Sequence, residues 1–82
     1  MNFGQKLGNL RIKKGLTQQQ FAEKLGYITN SYVSDVESGH FIPSREKLRK
    51  IAKALDVSFK VLGDMLLELL KSRLEALGIK GT

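Results

Sequence analysis

Cysteine is absent from all 82 residues, which excludes disulfides and thiolate metal sites. Histidine is reduced to His40 alone, so no histidine cluster can hold a metal or share acid–base chemistry. No stretch approaches the roughly 18 apolar residues of a membrane span, and the N-terminus carries no signal-peptide pattern. No nucleophile–base pair and no phosphate-cradling glycine loop is present either. These absences predict a cytoplasmic protein with no catalytic residues, metal, cofactor or membrane association. Acidic residues are also scarce, eight against 14 Lys and Arg, giving a net charge of +6 and a pI of about 9.8. A basic balance in a small domain favours a polyanionic partner. Apolar residues make up 41% of the chain, enough for a globular fold. The length is that of one small domain.

What is present is organised around residues 17–37, TQQQFAEKLGYITNSYVSDVE. Thr17 and Gln20 have the spacing of a capping box. Phe21, Ala22 and Leu25 follow at helical spacing, and Gly26 can end that helix in the left-handed conformation. After Tyr27 and Ile28, Thr29 can cap a second helix over about 30–38, with Val33, Val36 and Glu37 on its inner side. At 100° per residue, Ser31, Asp35 and Ser38 point outward, with Asn30, Tyr32 and Ser34 at the edges.

The flanking segments also read as helices. Asn2 can cap a first helix in which Phe3, Leu7 and Leu10 share a face. Gly8 costs roughly 1 kcal/mol relative to Ala there, a cost that close approach of another helix would explain. Residues 38–44 form a loop, with Phe41 and Ile42 expected to fold onto the core. Ser44 caps a fourth helix, whose inner face is Leu48, Ile51, Ala52 and Leu55 and whose outer face carries Arg45, Lys47, Arg49, Lys50 and Lys53. Ser58 caps a short fifth helix with Phe59 and Leu62 facing the core. Gly63 is expected to break or bend it, and a last helix starts at Asp64 and runs to Leu77, before a tail over 79–82. In that helix Met65, Leu66 and Leu69 can close the core. Leu67, Leu70, Leu74 and Leu77 form a second row with coiled-coil-like spacing, expected to be a dimer interface.

The stretch 17–37 resembles the helix-turn-helix of the lambda-repressor/Cro-like family. The resemblance is carried by Gln18, Ala22, Gly26, Val33 and Glu37, preceded by Arg11 and followed by Gly39, Pro43 and Ser44. It extends over about residues 3–62, with Tyr27 as one residue more than the family usually has in the turn. It implies an all-α, lambda-repressor-like five-helix DNA-binding domain over 1–62, with an added C-terminal helix over 63–78 for dimerisation. It also implies that Arg11 pairs with Glu37, as suits an Arg fork and a carboxylate. Gln18 matches a residue that touches a DNA phosphate and supports a base-reading side chain.

Asn30, Ser31 and Asp35 match the base-reading positions. Asn suits adenine, Asp can accept from cytosine N4, and Ser suits either. Tyr32 can reach a phosphate or a thymine methyl. Thr17, Ser34, His40, Arg45 and Lys47 join Gln18 as expected phosphate contacts.

The expected function is a sequence-specific transcriptional regulator: a repressor acting as a homodimer on a pseudo-palindromic operator in double-stranded DNA. The C-terminal helix can also take a protein partner. Two alternatives stay open, an antitoxin of a toxin–antitoxin pair and a protein-interaction adaptor with the same fold.

Overall fold

A computed structural model describes residues 2–78; the expected tail over 79–82 lies outside the described residues. Within them the chain forms five helices: α1 Phe3–Lys13, α2 Gln18–Lys24, α3 Ser31–Glu37, α4 Arg45–Leu55 and α5 Phe59–Ala76. Four of the five begin at a side-chain cap. The Asn2 side chain accepts from the Gln5 N–H (2.9 Å) and Gln5 returns to the Asn2 N–H (3.1 Å). Thr17 and Gln20 make the same reciprocal pair at the start of α2, at 3.0 and 2.9 Å. Ser44 and Ser58 cap α4 and α5 through the N–H groups of Lys47 and Val61. Each cap satisfies a backbone donor that the helix itself leaves free.

The start of α3 differs from expectation. Asn30 occupies the cap position but makes no side-chain cap bond. The Thr29 hydroxyl turns to the Ser31 hydroxyl instead (3.3 Å). Thr29 is therefore not the cap of α3.

The core lies where the five helices converge. It is built from Phe3 and Leu7 of α1, Phe21 and Ala22 of α2, Val33 and Val36 of α3, four residues of α4, and Leu62 of α5. The α4 contribution is Leu48, Ile51, Ala52 and Leu55, the expected inner face. Met65, Leu66 and Leu69 pack against its edge. α1 lies across α3 and α5, α2 against α3 and α4, and α4 along α5. The α4–α5 connection turns through Asp56, which adopts a left-handed conformation (φ 54°, ψ 48°).

The expected break at Gly63 does not occur: α5 runs unbroken for 18 residues. Gly in a helix interior costs about 1 kcal/mol, but Leu62 is fully buried and Leu66 and Leu69 pack one and two turns further on. Tertiary packing of that stripe outweighs one unfavourable residue. The added C-terminal helix is therefore the continuation of the fifth.

Three apolar residues also sit elsewhere than expected. Phe59 lies at the surface under the Arg49 guanidinium, 5.2 Å from its ring centroid. Phe41 and Ile42 remain exposed, while Pro43 between them and α4 is buried. Phe41 stacks on Tyr32 at 6.3 Å rather than entering the core.

Candidate nucleic-acid interface

The helix pair α2–α3 is held from behind by one carboxylate. Arg11, near the end of α1, donates from Nε to Glu37 Oε2 (2.7 Å) and from Nη2 to Glu37 Oε1 (3.1 Å). Its remaining terminal nitrogen, Nη1, reaches the Leu16 carbonyl (2.7 Å), tying down the α1–α2 turn. Gln18, the first residue of α2, donates from Nε2 to Glu37 Oε1 (3.2 Å). One side chain at the end of α3 thus fixes the end of α1 and the start of α2. Both ionic side chains are only 11% exposed, so water does little to screen the pair.

Two glycines make this arrangement sterically possible. A Cβ on Gly4 would fall 2.3 Å from the Glu37 carbonyl oxygen, and one on Gly8 3.0 Å from Glu37 Oε1. Gly4 and Gly8 share a face of α1 one turn apart, and that face lies on the C-terminal end of α3.

The turn between α2 and α3 is fixed by backbone and side chain together. Gly26, at φ 89°, lets its own N–H reach the Glu23 carbonyl and the Tyr27 N–H reach Ala22 (3.0 and 2.9 Å). Gln19 Nε2 holds the Ile28 carbonyl at 2.9 Å. The Tyr27 ring lies 5.0 Å from Tyr32, and its hydroxyl accepts from Lys47 Nζ at 2.7 Å. The Lys47 ammonium also stands 5.1 Å from the Tyr27 centroid and 6.0 Å from that of Tyr32, within cation–π range. The hydrogen bond to Tyr27 is the largest cause holding the Lys47 ammonium above its ordinary pKa.

On the outer side, Asn30, Ser31 and Ser34 are exposed and Asp35 is half-buried. Beyond α3 the Asp35 carbonyl accepts from the His40 N–H (2.8 Å) and the Phe41 N–H (3.3 Å). His40 Nδ1 and Ser38 Oγ lie 2.6 Å apart. Arg45 is exposed at the start of α4, with Arg49, Lys50 and Lys53 along its outer face.

This geometry presents a short polar helix end, anchored from behind and flanked by cations. A family model described as Helix-turn-helix matches residues 7–62, most of the chain. The chain belongs to the lambda-repressor/Cro-like helix-turn-helix family. Members are DNA-binding transcriptional regulators. Over 58 residues it is 43% identical to the HTH-type transcriptional activator BcrR of Enterococcus faecalis, covering 71% of this chain and 28% of that one. It is 38% identical over 63 residues to the ImmF control region 10 kDa protein of Bacillus phage phi105, covering 72% and 69%. With the immunity repressor protein of the same phage it shares 37% over 57 residues, covering 70% and 39%. The chain therefore spans well under half of two of these relatives and about two thirds of the third.

In helix-turn-helix terms, α2 and α3 are the two helices of the motif. Asn30, Ser31, Ser34 and Asp35 come together on the outer side of α3. Thr17 and Gln18 lie at the start of α2, but the Thr17 hydroxyl is engaged as a cap and the Gln18 amide is shared with Glu37. Tyr32 stands apart from these residues. Its hydroxyl oxygen is buried, with no hydrogen-bond partner among the described residues. Burial is the largest cause pushing that phenol above its ordinary pKa, with Tyr27 adding and Lys47 opposing. The Tyr32 ring is half-buried, packed against Tyr27 and Phe41.

Two residues of the site, Gln19 and Tyr27, carry no role that the sequence assigns. The Gln19 bond to a carbonyl nine residues away has no local signature. Tyr27 meets Lys47, an expected phosphate contact, across 20 residues, a pairing that no periodicity reveals.

Proposed function

We propose that the chain is a repressor that binds a pseudo-palindromic operator as a homodimer and acts by occupancy, with no chemistry of its own. The observation that carries the dimer is the second leucine row of α5. Leu67, Leu70, Leu74 and Leu77 are 57%, 41%, 42% and 75% exposed, while Leu62, Met65, Leu66 and Leu69 of the same helix serve the core. Contiguous apolar surface of this kind marks an interaction site, and a twofold contact would be self-complementary. On this reading residues 1–62 form the DNA-binding unit and 63–78 the dimerisation arm of a cytoplasmic regulator.

Asn30, Ser31 and Asp35 are the proposed base-reading residues. Gln18, Thr17, Ser34, His40, Arg45 and Lys47 are the proposed backbone contacts. The paucity of positive charge on α3 does not oppose this reading. The Glu37 charge is neutralised by Arg11, which leaves Asp35 as the acid that α3 presents. An acidic helix would favour a protein-interaction adaptor, and with one acid presented α3 gives that reading little support.

Selection of bound sequences from a random duplex pool tests the proposal. A twofold motif with half-sites about one DNA turn apart, roughly 34 Å, is the expected result. A single unrepeated half-site would contradict the homodimer. No enrichment at all would contradict the operator.

A further inference from the structure

We propose that Ile28 is a specificity-determining residue that reads a thymine methyl group; this rests on the proposed docking of the N-terminal end of α3 at base edges. Ile28 is 92% exposed, the highest value among the exposed large apolar side chains of the described residues. It sits in the turn that leads into α3, beside the exposed Thr29, Asn30 and Ser31. Tyr27 before it is drawn inward by Tyr32 and Lys47, so the next side chain is left facing out. The Ile28 carbonyl is pinned by Gln19 Nε2 (2.9 Å), and its branched Cβ restricts χ1. The side chain is therefore presented in a fixed direction before any partner arrives.

Chemistry selects the partner. Residues 25–34, LGYITNSYVS, carry no charge. A phosphate is met by cations and polar donors, and an isoleucine against it would desolvate the anion without return. Base edges in the major groove offer one apolar feature, the thymine C5-methyl, and apolar side chains recognise it. The thymine-reading role falls to Ile28 rather than to Tyr32, whose ring is half-buried against Tyr27 and Phe41.

The test uses the duplex selected by the wild-type chain, with each thymine replaced in turn by deoxyuridine, which removes only the methyl. The wild type should lose about four-fold in affinity for each contacted methyl removed, the equivalent of one buried methyl-sized group. The loss should be confined to one position per half-site. Ile28→Ser should bind the thymine and uracil duplexes equally and lose the thymine preference there, while keeping its preferences elsewhere. Ile28→Val should retain part of the discrimination. Because Ile28 is exposed, the circular dichroism of both variants should match wild type. A wild type indifferent to every replacement, or an Ile28→Ser that still discriminates, overturns the proposal alone. A wild type that selects no sequence overturns it together with the base-edge docking of α3.

Discussion

Glu37 accepts from two side chains on two other helices. Removing the carboxylate leaves Arg11 with little water to solvate it; removing Arg11 leaves Glu37 in the same state. Breaking one side of a buried pair typically costs roughly 3–5 kcal/mol, and the Leu16 carbonyl bond is lost as well when Arg11 goes. Arg11→Ala and Glu37→Ala should therefore each lower the thermal midpoint well below that of Lys24→Ala, whose side chain is exposed. Three indistinguishable melts would mean that the pair contributes nothing. Tyr32 gives the opposite sign. Its buried hydroxyl lacks a partner, so Tyr32→Phe should raise stability by about 1 kcal/mol. The phenol is pushed up in the folded state, so its contribution is complete below the ordinary tyrosine pKa and is lost as pH rises through the folded one. Wild type should lose stability above about pH 10, and Tyr32→Phe should lose less, as denaturant midpoints measured across that range would show.

At the scale of elements, two glycines in helices have opposite meanings. Gly4 is pressed against the backbone of α3, and an added Cβ would meet carbonyl oxygens at 2.3 and 2.7 Å. Neither neighbour can give without moving α3, so Gly4→Ala should destabilise by about 1–3 kcal/mol. Gly63 has nothing within 4 Å of the same atom, so Gly63→Ala should stabilise by about 0.5–1 kcal/mol. Urea titrations of the two variants check both signs. The element boundaries set by caps were legible at Asn2, Thr17, Ser44 and Ser58, because a cap is decided within four residues. Gly63 was misread as a break because its local cost was visible and the packing of Leu62, Leu66 and Leu69 against other helices was not.

For the molecule as a whole, the leucines of α5 fall into two sets. The core-facing set closes the domain, and the row at Leu67, Leu70, Leu74 and Leu77 stays in solvent in a single copy. Leu70→Lys combined with Leu74→Lys should give a folded monomer with far weaker operator binding, because paired half-sites no longer share one protein dimer. Leu66→Lys should instead lower the melting temperature, since Leu66 packs on the core. Sedimentation with circular dichroism distinguishes the outcomes. A double variant that remains dimeric removes the leucine row as the interface, and one that unfolds assigns the row to the core.

The sequence by itself determined the order of helices, most of their starts and nearly all of the core. Those features depend on apolar periodicity and on hydrogen bonds between residues three apart. The outward side of α3 was also legible, since 100° per residue places Ser31 opposite Val33 and Val36. Only the tertiary structure decided that α5 runs unbroken through Gly63 and that the Tyr32 hydroxyl is buried. It alone also fixed the turn through Gln19 and committed Lys47 to Tyr27. Each of these rests on contacts between residues distant in sequence, or on packing that outweighs a local preference, and neither leaves a mark on the local pattern of the chain.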